Sequence, residues 1–143
     1  MPNIADQLSF YAAGLRYDDL PPDVVHQAKR LIIDTLGCAV GGYDSEPARV
    51  AREVVATVTS KQPATVLVSN GATSPDLAAF ANGVMIRYLD FNDGYTSKES
   101  GHPSDSIAAT LSCTEAANPG VRRLITPPGL ASVVYLRLCE LPN

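Results

Sequence analysis

The chain has 143 residues, 45% of them apolar and 18% charged, with a net charge of −4. This composition fits one globular domain with a single core and excludes a disordered chain. The acid excess and the absence of any basic stripe exclude a nucleic-acid footprint. The longest apolar stretch, "RLIIDTLGCAVGG", is interrupted by Asp34 and is too short to cross a bilayer. The opening "MPNIADQLSF" lacks the basic start and apolar run of a signal peptide, so a cytoplasmic protein without a membrane partner is expected. Cys38, Cys113 and Cys139 are odd in number and irregularly spaced. Each sits in an apolar helical pattern, which predicts free buried thiols.

In chain order, Ile4, Leu8, Tyr11 and Leu15 share one stripe of a first predicted helix. "YDDLPPD" breaks it, and Pro22 suits the first turn of the next, with Asp23 behind it. From there Val24, Val25, Ala28, Leu31, Ile32, Leu36 and Val40 recur every three or four residues until Gly41-Gly42. Ser45 is a cap for a third helix with Val50, Val54 and Val58 on one face. "PATVLVS" is the one strand candidate, bounded by Pro63 and Asn70-Gly71, with no visible pairing partner. Ser74, Pro75 and Asp76 start another helix, whose predicted buried side is Leu77, Phe80, Ala81, Val84, Tyr88 and Leu89. "PSDSIAATLSCTEAA" is again helical, capped by Ser104 or Ser106, with Ile107, Leu111 and Ala116 inward. Beyond it Pro127-Pro128-Gly129 predicts a break, because a proline inside a helix costs about 3 kcal/mol or more. Val133 to Leu138 fits a strand or a short helix equally. The expected architecture is all-α, a bundle-like segment with at most one short strand.

The stretch "LDFNDGYTSKESGHPSD", residues 89 to 105, differs from its surroundings in carrying acids, a lysine, glycines and one of two histidines. Asp90 falls at a helix end whose dipole disfavours a carboxylate. His102 and Pro103 open the next helix, where unpaired amides favour anions. A carboxylate, an imidazole and a helix start at one junction suit proton transfer on a carboxylated substrate. A calcium loop is the first alternative, but counted from Asp90 the positions Gly94, Tyr95 and Gly101 all fail its spacing. Zinc ligands are lacking too, so no metal is expected. A plain solvated connection is the second alternative. Phe91 and Tyr95 weigh against it, since buried aromatics would hold the acids in place.

"YLDFNDGY" followed by "ESGHPSD" resembles the signature of the MmgE/PrpD family, which includes 2-methylcitrate dehydratase, cis-aconitate decarboxylase and iminodisuccinate epimerase. "LPPDVVHQAKRLIIDTLGCAVGG" and "ATVLVSNGATSPDLAAFANGVMIRYLD" are similar to it in order and spacing, from about Ile4 to Ala117. The resemblance implies a family-like helical region over 1–117 and a divergent or truncated tail over 118–143 that is no separate domain. It implies cofactor-free proton transfer beside a carboxylate of a small di- or tricarboxylate, with dehydration of a 2-methylcitrate-like compound expected and the family's decarboxylation or isomerisation as the alternative. Asp90 and His102 are then the catalytic residues, His102 as acid/base and Asp90 orienting it or touching substrate. Asp93 and Ser104 are expected to bind substrate, Ser104 through backbone amides at the helix start. Lys98 is a candidate counter-charge or a solvated lysine, and His26 has no assigned role. Gly94 stands where many members have threonine. Members are far longer, with further catalytic histidine and lysine residues, a lid domain and a long helix in place of "TPPGLASVV". The resemblance also suggests a homodimer. The rival expectation is a truncated, non-catalytic helical interaction module.

Overall fold

The structure, a computed structural model, describes residues 3–117 and 122–139. Helix α1 is Ile4–Gly14, α2 Pro22–Gly42, α3 Glu46–Val55, α4 Pro75–Arg87, α5 Ile107–Ala116 and α6 Arg122–Cys139. Two small antiparallel hairpins interrupt them: β1 (Ala64–Val66) with β2 (Gly71–Thr73), and β3 (Tyr95–Thr96) with β4 (Ser100–Gly101). Short 3-10 turns lie at Tyr17–Asp19 and Pro103–Ser106. The fold is mostly helical, as the apolar periodicity predicts. No described helix is long and apolar enough to cross a membrane.

Helix α4 is the central element and packs against α2, α3 and α5. Its inward face is Ala78, Ala81, Asn82, Met85 and Ile86. These meet Ala39 of α2, Ala48, Ala51 and Val55 of α3, Val66 of β1 and Ala108 of α5 in one cluster. The alanines matter because small side chains let helix axes approach and multiply dispersion contacts. The closest approach is at Gly42, where an added Cβ would collide with the Met85 carbonyl; one on Gly41 would lie 2.6 Å from Leu89 Cδ1.

That preference for close approach corrects several expected core residues. Phe80 and Tyr88 are 54% and 52% exposed, because α4 turns its small residues, Met85 and Ile86 inward. On α3 the buried stripe is Ala48, Ala51 and Val55, leaving Val50, Val54 and Val58 exposed. Ile4, Tyr11 and Val40 are likewise exposed, and α1 buries none of its residues. Ile107 is buried as expected, whereas Leu31, Leu36 and Val84, expected in the core, are only half-buried. Cys38 and Cys139 are buried, but Cys113 is exposed on the outer side of α5.

The strand candidate finds its partner within its own turn. Val68 and Asn70 adopt positive φ, which reverses the chain so that Ala64 pairs with Thr73 and Val66 with Gly71. The outer edge of β1 is paired by side chains. Asn82 Oδ1 accepts from the Leu67 amide at 2.8 Å, and Asn82 Nδ2 donates to the Thr65 carbonyl at 3.0 Å. Glu115 accepts from the Thr65 amide at 2.8 Å and from the Thr65 hydroxyl.

Helix starts follow the predicted residues, though not always by the predicted bond. Ser45 accepts the Ala48 amide at 3.3 Å. Ser74 makes no such cap bond; its hydroxyl instead bonds the Asp76 carboxylate, the main reason that group lies below its ordinary range. Ser106 donates to the Pro103 carbonyl at 2.9 Å rather than capping α5. The largest departure is at the tail. Helix α6 runs unbroken through Pro127-Pro128, where a break is expected. Ile125, Ser132 and Cys139 recur every seven residues and are buried, and α6 packs on α5, α2 and the Pro103–Ser106 turn. Tertiary burial of that stripe thus overrides the local cost of the two prolines.

Met85 is fully buried, so Met85→Ala is expected to lose about 2–5 kcal/mol of stability in urea titration. Val54→Ser on the outer face of α3 is expected to change it by less than about 0.5 kcal/mol. Similar losses for both variants would contradict this assignment of inner and outer faces.

Candidate active site

The loop after α4 begins with a left-handed turn. Asp90 has φ 54°, a conformation that aspartate tolerates better than most side chains, and its amide donates to the Arg87 carbonyl at 3.1 Å. The turn carries the chain off the α4 surface before Phe91, which is 76% exposed instead of buried under the site as expected. The β3–β4 hairpin then pairs Tyr95 with Gly101 and returns the chain to His102.

Three of the four predicted site residues are brought together here. His102 Nδ1 lies 2.5 Å from the Asp93 carbonyl oxygen. A carbonyl can only accept, so Nδ1 carries the proton and Nε2 of the neutral ring is left basic. The other end of Asp93 binds the following turn: its Oδ1 accepts the Ser104 amide at 3.1 Å. The amide expected to hold a substrate carboxylate is therefore already paired with a carboxylate of the chain itself. Ser104 is buried, and its hydroxyl has no hydrogen-bond partner among the described residues.

Asp90, the fourth, turns elsewhere. Its Oδ1 pairs with Arg87 Nη2 at 3.0 Å, and its side chain is 75% exposed. Arg87 also donates from Nη1 to Asn92 Oδ1 at 3.0 Å and pairs through Nε with Asp105 Oδ1 at 3.3 Å. One guanidinium thus spans the start, the interior and the far end of the loop. Sequence reasoning missed it; the signal was a cation in the last turn of α4, three residues before an aspartate. Lys98 and His26 are exposed.

Neighbouring helices complete the surroundings. A cavity of about 480 Å³ beside Asp93 is lined by Gln27, Arg30, Leu31, Ile33, Asp34 and Asp93. Cys38, one turn on from Asp34, has its thiol pushed up by burial and then by the Asp34 carboxylate, with Asp93 adding to this and Arg87 opposing it. On the other side α6 closes over the hairpin. The Cys139 carbonyl accepts the Glu99 amide at 3.3 Å, and the Tyr135 hydroxyl occupies the space a Cβ on Gly101 would fill. A side chain there would make the Tyr135 ring shift. Among the described residues no three His, Cys, Asp or Glu side chains converge as metal ligands. Chemically, the cluster offers one oriented imidazole whose Nε2 is left as the basic nitrogen, in a setting rich in carboxylates and crossed by one arginine.

The model of the MmgE/PrpD N-terminal domain matches residues 6–141. The chain is 33% identical over 120 residues to the 2-methylcitrate dehydratase-like protein oryR of Aspergillus oryzae, covering 78% of this chain and 23% of that one. It is 35% identical over 117 residues to 2-methylcitrate dehydratase of Cupriavidus necator, covering 79% and 22%. Against human cis-aconitate decarboxylase the identity is 30% over 120 residues, covering 83% and 24%. The chain spans under a quarter of the length of these relatives.

Two outcomes are expected from the site's geometry. Cys113 should be alkylated by iodoacetamide well before Cys38, read by mass spectrometry of the folded protein, because burial shields Cys38 and raises its thiol. Asp93→Ala should speed hydrogen exchange of the Ser104 amide and cost on the order of 1 kcal/mol. An unchanged Ser104 exchange rate would mean that the Asp93 carboxylate does not hold that turn.

Proposed function

The chain belongs to the MmgE/PrpD family, and on that premise we propose that it carries part of a cofactor-independent lyase site for a small di- or tricarboxylate. Dehydration of a 2-methylcitrate-like compound is the reaction we assign. The observation that carries this reading is the bond from His102 Nδ1 to the Asp93 carbonyl, which leaves Nε2 as a base of fixed orientation.

In the proposed reaction, Nε2 of His102 takes a proton from the carbon beside a substrate carboxylate. The electron pair of that C–H bond forms the new double bond as the neighbouring hydroxyl leaves, protonated to water. The Asp93 carbonyl stabilises the imidazolium by accepting its Nδ1–H throughout. Asp90, paired with Arg87, lies at the rim and contacts substrate rather than the imidazole. Asp93 acts on substrate indirectly, through His102 and the Ser104 turn. Arg30 in the adjoining cavity supplies a cation for a substrate carboxylate, a role that the exposed Lys98 is less well placed to fill. The protonating acid and the water-excluding cover belong, in this reading, to the additional length that the relatives carry. We further assign a cytoplasmic homodimer, supported by the apolar side chains that α2 and α4 leave outside, Ile33, Val40, Phe80 and Tyr88.

A decarboxylase reading draws on the 30% identity to cis-aconitate decarboxylase. It uses the same base position, so the substrate must decide between them. The purified 143-residue chain is expected to show no measurable turnover of 2-methylcitrate or cis-aconitate. A chimera joining residues 6–141 to the remainder of the Cupriavidus necator enzyme is expected to dehydrate 2-methylcitrate. His102→Ala in that chimera should lower kcat by about 10²–10⁴-fold. An active chimera indifferent to His102→Ala would overturn the assignment of the base. Turnover by the short chain alone would overturn the division of the site.

A further inference from the structure

The sequence marks Asp90 and His102, yet the side chain that ties their loop together is Arg87, at the end of α4. Its three nitrogens reach three separate points: Asp90 at the start of the loop, Asn92 within it and Asp105 beyond its end. With 34% of its side chain exposed, the guanidinium sits at the loop's base, partly shielded from water. A planar, permanently charged fork with five donors can hold three acceptors at fixed angles, which a lysine ammonium cannot do in the same way.

We propose that Arg87 is a positioning residue for His102, a role that rests on the reading of His102 as the base. The path is short and physical. Arg87 holds the Asn92 side-chain oxygen, and the half-buried Asn92 has an inaccessible amide nitrogen unpartnered among the described residues. Asn92 immediately precedes Asp93, so fixing it fixes the backbone whose carbonyl receives His102 Nδ1. At the far end Arg87 holds Asp105, in the same 3-10 turn as Ser104, whose amide binds the Asp93 carboxylate. Both anchors of Asp93 are thereby tied to one cation. Arg87 acts on the imidazole through the peptide at Asp93 and decides which ring nitrogen is left bare. Its pair with Asp90 does not touch that path and serves instead to keep the exposed carboxylate at the rim.

The test reads the histidine tautomer directly in the 143-residue chain, so it does not depend on turnover. Long-range ¹H–¹⁵N correlation at about pH 8.5, where free imidazole is neutral, distinguishes an Nδ1–H ring from an Nε2–H ring. The exposed His26 serves as the internal reference. The wild-type chain is expected to show His102 as Nδ1–H. In Arg87→Gln that signal should be lost to an averaged or Nε2–H form, with His26 and the amide spectrum of α2 and α3 unchanged. Arg87→Lys, which keeps the charge but not the fork, should restore the signal only in part. Arg49→Gln, which breaks only the exposed pair with Glu53, should leave it intact. Should Arg87→Gln not fold, Asn92→Ala removes the arm to Asp93 alone and should produce the same loss. A folded Arg87→Gln or Asn92→Ala chain whose His102 remains fully Nδ1–H would overturn the proposal. A wild-type ring that is already Nε2–H would instead overturn the reading of His102 on which it rests.

Discussion

The contact between the C-terminal half of α2 and the end of α4 sets the position of nearly everything else. At Gly42 the two backbones touch without an intervening side chain, and at Gly41 the neighbour is the flexible end of Leu89. Any residue larger than glycine at 42 would push α4 outward, because the obstacle is a helix carbonyl and cannot rotate away. Met85 and Ile86 are fully buried as a result, and the last turn of α4 is held at a fixed height against α2. The loop that carries Asp90, Asp93 and His102 starts from that turn. Asp34 and Cys38 on α2 lie beside it, and burial, then the Asp34 carboxylate, push the Cys38 thiol up.

Electrostatics inside the loop follow from that geometry. Asp93 uses its carbonyl on an imidazole and its carboxylate on an amide, so a single residue joins the base to the turn that follows it. A substrate carboxylate arriving at the Ser104 amide would compete with an intramolecular partner already in place. Both competitors are carboxylates, so the hydrogen bonds themselves are similar, but the resident one pays no entropy of association. The balance therefore favours Asp93 at that amide. A cationic group elsewhere, such as Arg30, is a better anchor for a free acid.

Much of this was legible in the sequence, and the misses share a cause. The strongly punctuated helices start where proline and a first-turn acid place them, at Pro22 and Pro75, because those signals are local. Three of the site residues marked by composition, Asp93, His102 and Ser104, do lie together. What periodicity predicted badly was which stripe faces inward. A count of apolar positions favours Phe80, Tyr88, Val50 and Val54, whereas packing favours the stripe of alanines that permits the nearest helix approach. That preference depends on the neighbouring helix and has no local signature. The same holds for α6, whose two prolines argue locally for a break while a seven-residue stripe buried by other elements keeps the helix whole. Arg87 was overlooked because its three partners lie at separations of three, five and eighteen residues, and only the first is a helix spacing.

Asn82 presents to β1 the same acceptor and donor that a residue of a third strand would present, at 2.8 and 3.0 Å. A short hairpin at the surface ordinarily leaves one row of backbone groups open, and such a row is a template on which other chains can assemble. Here that row is read by the side-chain amide of Asn82, itself buried on the inward face of α4, so a foreign strand would have to evict a core residue to gain two hydrogen bonds. The asparagine acts as a stopper on lateral growth of the sheet. Replacing it would expose to self-association a segment, "ATVLVS", whose β-branched composition is well suited to cross-β stacking.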